Sequence, residues 1–208
     1  MKFGDLLELI AAEPMFESGL LMTGAVSPGK IRLQISRWVK AGKLISLRRG
    51  LYALAQPYAK ASPHPFLVAN RLCRPSYVSL QSALAWYGMI PEYVPAVTSI
   101  TSGRPRPCRL PLGDFLFRHV KTPEFRGYRR MEVQPGQFAF VACREKALLD
   151  LIHLTPGADT RPYLRELRLQ NLSDLSPRSL QRMAADWGSP KLLRAAKQII
   201  ELRKEEET

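Results

Sequence analysis

The first quarter of the chain alternates hydrophobic and polar positions at helical and then at strand spacing. Phe3, Leu6, Leu7 and Ile10 fall on one face of a helix over residues 3–13, with Asp5, Glu8 and Glu13 turned away. Pro14 ends that helix, Met15-Phe16 predicts a short strand, and Glu17 to Met22 a second helix. Thr23-Gly24-Ala25-Val26 reads as a turn. From Pro28 to about Ala41, Ile31, Ile35, Trp38 and Val39 share a face, while Lys30, Arg32, Ser36, Arg37 and Lys40 cover the remainder. Ser27 is placed to accept from the first-turn amides, Pro28 suits the first helical position, and Gly42 suits the left-handed residue that follows the last turn. Leu44 to Leu47 and Leu51 to Leu54, separated by Arg48-Arg49-Gly50, predict a β-hairpin. Three helices followed by a hairpin with a basic tip give the order of a winged helix-turn-helix.

The pattern changes after QPYAKASPHP at 56–65, which has three prolines and little apolar content. This predicts a winged helix-turn-helix domain over 1–56, a linker over 57–65 and a second domain over 66–208. In the second domain, helices are expected at 66–73 and 80–87. Tyr77-Val78 should be extended, and strands should form at 96–101, 114–120, 130–134 and 137–143. The last strand is nearly all apolar and therefore expected to be interior. Helical patterns over 144–154, 161–169, 177–187 and 190–204 close the chain. The fold class expected is α+β: an N-terminal winged helix-turn-helix, then an α+β domain with a small mostly antiparallel sheet and C-terminal helices.

Composition narrows the function. The chain has 208 residues and a net charge of +13, which implies an anionic partner, nucleic acid before an anionic membrane. No apolar run approaches the ~20 residues of a membrane span, and MKFGDLLELIAAEP carries acids inside its apolar stretch, unlike a secretory signal. A cytoplasmic protein with no membrane partner is expected. Cys73, Cys108 and Cys143 are odd in number and widely spaced, which suits neither a disulfide framework nor a zinc site, so no metal or cofactor is expected.

The basic charge is concentrated. From Ser27 to Gly50 there are seven Lys or Arg and no Asp or Glu. A solvated helix mixes both signs, whereas a surface facing phosphates excludes carboxylates. Ser27, Lys30, Arg32, Ser36, Arg37, Lys40, Lys43, Arg48 and Arg49 are the candidate DNA-binding residues, with double-stranded DNA as the partner. Leu33 lies on the same polar side, where it suits a thymine methyl or a covering helix equally. A second run holds Arg104, Arg106, Arg109, Arg118, Lys121, Arg126, Arg129 and Arg130 against only Asp114 and Glu124. Arg104, Arg106, Arg109, Arg126, Arg129 and Arg130 are candidates for a secondary patch. Three readings stay open for it: a longer DNA footprint, a face for an acidic protein, or charge that keeps a loop soluble.

Catalytic signatures are missing. His64, His119 and His153 are scattered, no G-x-S-x-G or P-loop occurs, and the acids do not cluster as a metal nuclease requires, so a non-catalytic protein is expected. Leu80, Ala83, Leu84 and Tyr87 form a stripe that reads as core. Lys146, Asp150 and His153 recur on one side of their helix and read as a solvated or capping ion-pair group.

Three segments, taken in order, resemble the AbiEi family of bacterial antitoxins: RWVKAGKLISLRRGLYAL at Arg37 to Leu54, PSYVSLQSALAWYGMIPE at Pro75 to Glu92, and REKALLDLI at Arg144 to Ile152. The resemblance covers most of the chain up to about Leu154. It implies a winged helix that binds and represses the protein's own toxin-antitoxin promoter, and a C-terminal domain that counters a nucleotidyltransferase-like toxin in defence against phage. The alternatives are a winged-helix regulator whose second domain senses a small molecule, and a DNA-targeted nuclease.

Overall fold

The computed structural model describes residues 1–10, 13–22, 27–105 and 107–206. It is mixed α+β, with eight α-helices among the described residues, a small antiparallel sheet and a larger mixed sheet. The N-terminal part consists of α1 (Phe3–Ile10), β1 (Met15–Glu17), α2 (Pro28–Lys40), β2 (Leu44–Arg48) and β3 (Leu51–Leu54). The strands pair antiparallel in the order β1-β3-β2. Leu6, Ile10, Phe16, Ile31, Ile35, Trp38 and Leu44 close one hydrophobic cluster beneath them, so the apolar faces read from spacing are the faces buried. Gly42 takes φ +67°, and the Lys43 amide donates to the Trp38 carbonyl at 2.9 Å, which turns the chain sharply from α2 into β2.

Two local expectations change. Residues 17–22 form no α-helix: Glu17 pairs with Leu51 in β1, and Ser18–Met22 makes a single 3-10 turn, too short a run to offset helix nucleation. The Ser27 side chain makes no cap bond. Its backbone carbonyl instead accepts from the Lys30 and Ile31 amides at 3.0 and 3.3 Å. The turn expected at Thr23 to Val26 lies outside the described residues.

The remainder contains α3 (Pro65–Leu72), β4 (Ser76–Val78), α4 (Leu80–Trp86), β5 (Ala96–Thr101), β6 (Cys108–Leu110), β7 (Gly113–His119), β8 (Tyr128–Gln134), β9 (Gln137–Ala142), α5 (Arg144–Leu154), α6 (Arg161–Glu166), α7 (Pro177–Trp187) and α8 (Pro190–Glu206). The sheet order is β6-β7-β5-β4-β9-β8. β5/β7 and β4/β9 run parallel and the other three pairings antiparallel, so the six-stranded sheet is mixed, with antiparallel pairings in the majority. Parallel neighbours need long crossovers. The β4/β9 pair has one, because most of the sheet is laid down between these two strands. β9 is interior, as its apolar sequence requires.

The segment expected to be a linker is stitched to this sheet. Gln137, at the start of β9 and buried, accepts from the His64 amide at 2.7 Å and donates to the Ser62 carbonyl at 2.9 Å. Met15, Leu47, Leu51 and Ala53 of the small sheet also belong to the same continuous core as Phe66, Val68 and Ala69 of α3. Leu51 is 1% exposed, and its truncation to alanine should cost about 2–5 kcal/mol. In urea unfolding of the full chain, the signals of Trp38 and Trp187 are expected to move together. Two separated transitions would show that the shared core does not couple the two parts.

Candidate functional site

The outward surface of α2 is built by helical spacing alone. Lys30, Leu33, Gln34 and Arg37 fall at i, i+3, i+4 and i+7 and line a shallow depression with Met1. Arg32, Ser36 and Lys40 continue the exposed surface beside them. Among the described residues Lys30, Arg32, Arg37 and Lys40 have no ion-pair partner. Leu33 is 55% exposed in their midst, so no neighbouring helix covers it. Ser27 stands exposed at the N-terminal end of the same helix. One helix therefore presents four free cations and one free apolar side chain.

Two of the other candidate residues, Lys43 and Arg48, are engaged within the fold. Lys43 is half-buried with its ammonium 4.8 Å from the Phe3 ring centroid and 5.9 Å from that of Tyr58, a cation-π position that withdraws it from the outward face. Arg48 donates through Nε to the Arg71 carbonyl at 3.1 Å and pairs with Glu17 at 3.6 Å, so it braces the hairpin against α3. Arg49 alone at the hairpin tip points free. The tip itself is fixed, because Gly50 at φ +83° lets its carbonyl accept from the Ser18 amide at 2.8 Å.

The second basic run does not form one patch. Arg109 lies on β6 and Arg118 on β7, at one end of the six-stranded order, whereas Arg129 and Arg130 lie on β8 at the other. Five interstrand spacings separate the two edge strands, ~24 Å. Arg118 bonds the Leu154 carbonyl, and Arg126 is occupied by Asp186 through an ion pair at 3.8 Å and the backbone carbonyl. Arg129 lies beside the Tyr87 hydroxyl. Arg104 and Arg109 are exposed without an ion-pair partner among the described residues, and Arg106 lies outside those residues. The run is contiguous in sequence, but the strand order disperses it.

Arg130 joins cations that sequence reasoning did not single out. Its guanidinium lies 3.7 Å from the Phe138 ring centroid and lines a groove of about 750 Å³ with Arg71, Arg74, Tyr128 and Phe140. Arg74 pairs with Glu17 at 3.3 Å, the same carboxylate that holds Arg48, so the groove opens beside the tip end of the hairpin, where Glu17 pairs with Leu51.

The largest departure from expectation is at α5. Lys146 and Asp150, read as solvated, are buried, because α5 packs among α4, the sheet, α7 and α8 with few faces left to water. Asp150 is fully buried and accepts three bonds: Lys146 Nζ at 2.5 Å, Ser79 Oγ at 2.7 Å and Tyr77 OH at 3.1 Å. Burial pushes the Asp150 carboxyl up and the Lys146 ammonium down, while each charge opposes the other's shift. Burial and the Asp150 charge raise the Tyr77 phenol, and burial pushes the Cys143 thiol up to about 11. The Lys146 ammonium also sits 3.9 Å from the Trp187 ring centroid, and the His153 ring lies tilted against Trp187 at 4.9 Å between centroids, where burial lowers the His153 pKa. A signal for this network was present in the sequence. Asp150 stands alone among apolar neighbours in ALLDLI at Ala147 to Ile152, and Ser79 likewise between Val78 and Leu80, the mark of polar groups that meet in a core.

No family model matches the chain, and no curated protein matches it. Among solved structures, the chain is similar to the RV2827C protein from Mycobacterium tuberculosis, with a TM-score of 0.61 over 96% of this chain and 76% of that one, at 16% sequence identity. The likeness is one of fold. No helix among the described residues is long and apolar enough to cross a membrane.

Because Asp150 is buried and charge-paired, removal of one partner should be worse than removal of a single hydroxyl. Lys146→Met is expected to cost about 3–5 kcal/mol by leaving a buried carboxylate uncompensated, and Tyr77→Phe about 1.5–3 kcal/mol. Denaturant titration of both variants checks the order. A Tyr77→Phe loss exceeding that of Lys146→Met would contradict the network's assignment.

Proposed function

We propose that the protein is a DNA-binding repressor of its own operon, with residues 1–56 acting as a winged helix-turn-helix, and that it is an antitoxin of the AbiEi kind. The observation that carries this reading is the outward surface of α2: Lys30, Arg32, Arg37 and Lys40 are exposed, and none is neutralised by a carboxylate. Ion pairs or aromatic rings hold several other cations of the chain, among them Lys43, Arg48, Arg74 and Lys146, whereas α2 brings four cations without an ion-pair partner among the described residues onto one rigid 13-residue helix, which suits a polyanion. A helix of this kind fits the major groove. In this reading Arg37, flanked by Leu33, reaches base edges, Leu33 meets a thymine methyl, and Lys30, Arg32 and Lys40 hold phosphates.

Arg49 at the hairpin tip would reach the neighbouring minor groove or its phosphates. Arg48 serves by bracing the hairpin rather than by contact. Any extension of the footprint follows Arg71, Arg74 and Arg130 beside the hairpin, not Arg104 and Arg109 at the far sheet edge. The part from α3 onward would then counter a nucleotidyltransferase-like toxin.

The test is titration of the full chain onto a duplex from upstream of its own gene, beside an unrelated duplex, at several salt concentrations. Selective, salt-sensitive binding is expected. Arg37→Ala should lose ~1–3 kcal/mol on the operator and relax selectivity, whereas Arg49→Ala should weaken both duplexes alike and lower the salt slope by about 1. Equal binding of both duplexes by the wild type, or no binding, would refute the repressor reading.

A further inference from the structure

The six-stranded sheet ends in β8, a seven-residue strand that pairs with β9 alone. The phase of that pairing is set one residue before the strand, where the Cys143 amide donates to the Gly127 carbonyl at 3.0 Å, so Arg129 and Met131 also bond to β9. Tyr128, Arg130 and Glu132 therefore direct their N–H and C=O groups to the open side. Phe140, opposite Arg130, obeys the same alternation and turns its amide away from β8, to Asn70 Oδ1 at 2.5 Å. No hydrogen bond from the described residues reaches the outward groups of Arg130 and Glu132, both residues are exposed, and no proline interrupts the strand.

An open edge of this kind accepts another strand, and the sequence of β8 selects which one. Two copies related by a twofold axis pair antiparallel, in registers that bring outward residues opposite one another. With the axis at Met131, Arg130 of each copy faces Glu132 of the other. Moved one residue earlier, the axis sets Arg130 opposite itself, and moved one residue later it sets two Glu132 carboxylates together. Unlike charges directly opposite are favourable and like charges destabilising, so the register about Met131 is preferred to both neighbours. The two side chains are available for it. A cation-π contact with Phe138 leaves the N–H groups of Arg130 free to donate, and Glu132 spends Oε1 on the Gly136 amide at 2.8 Å, which leaves Oε2. On the opposite face the two Met131 side chains meet at the axis.

We propose that the β8 edge is a homodimer interface, in which two copies pair antiparallel about Met131 and join their sheets through Arg130–Glu132 ion pairs. The backbone groups of Arg130 and Glu132 exchange both hydrogen bonds on either side of the axis. The edge uses no residue of α2, so the interface stands apart from the DNA-binding reading.

Sedimentation velocity of the full chain, over a concentration series reaching the millimolar range, is expected to show a reversible monomer–dimer equilibrium. Arg130→Glu sets like charges opposite on both sides of the axis and should weaken dimerisation roughly tenfold. The swap Arg130→Glu/Glu132→Arg should restore it, with thermal unfolding confirming that each variant is folded. Met131→Cys should form an inter-copy disulfide on mild oxidation, above the background of the native cysteines in the wild type, whereas Arg129→Cys, set on the order of 13 Å from its own copy by the same register, should not. A chain that stays monomeric throughout, a dimer as tight in Arg130→Glu as in the wild type, a folded swap that fails to dimerise, or a cross-link no faster at 131 than at 129 would overturn the proposal. Such a failure would leave the Arg37 effect on DNA untouched.

Discussion

The carboxylate of Asp150 is the point through which the larger part of the fold is tied together. An ionised side chain with no exposure is tolerated only when its lone pairs are filled, and here α5 supplies one donor and the β4–α4 turn two. The turn is shaped for this. Leu80 enters α4 at φ +57°, a conformation that L-residues avoid, which swings the chain out of β4 and leaves Ser79 Oγ and Tyr77 OH converging on one oxygen of Asp150. The strain is offset by the charge-assisted bonds that it makes available. Lys146 then carries the network outward to Trp187 and α7, so one buried ion pair orients four elements.

The N-terminal part is governed by a different rule, in which cations are sorted by what neutralises them. Lys43 spends its charge on the Phe3 and Tyr58 rings, and Arg48 and Arg74 share Glu17. Among the described residues of that part, the cations without an ion-pair or aromatic partner are Lys2, those of α2 and Arg49. Exposed pairs such as these stabilise by little, at most about 1 kcal/mol. Their larger consequence is positional, because they hold the hairpin against α3 while the helix surface stays free. The net charge of the chain is thus a poor guide to where a polyanion would sit, and the list of unpaired cations is a better one.

This explains why some features were legible in the sequence and others were not. The apolar face of α2, the hairpin after Gly42 and the bounds of β5, α5 and α7 follow from local period and punctuation, which act within a few residues and survive into the fold. The second arginine run is dispersed because contiguity in sequence says nothing of strand order, and β6 and β8 lie on opposite edges of the sheet. Lys146 and Asp150 were misread for a related reason. A helix enclosed on nearly every side has no polar face, so a polar residue on it cannot be assigned to solvent by period alone. The partners that make its burial tolerable, Tyr77 and Ser79, lie some seventy residues away.

The segment between the two parts carries the last consequence. Its prolines and small residues have the composition of a flexible tether, yet its end is bonded at both polar atoms of a buried glutamine side chain, and the small sheet contributes Leu51 and Ala53 to the main core. Composition describes what a segment does when nothing holds it, whereas Gln137 holds this one. The surface of α2 is therefore carried on a body whose orientation is fixed by the rest of the chain. The core around the Asp150 network reaches the small sheet through Met15, Leu47, Leu51 and Ala53, and that sheet carries Leu44 and Leu54 into the separate cluster on which Ile31, Ile35 and Trp38 of α2 are packed, so the sheet is the link between the two.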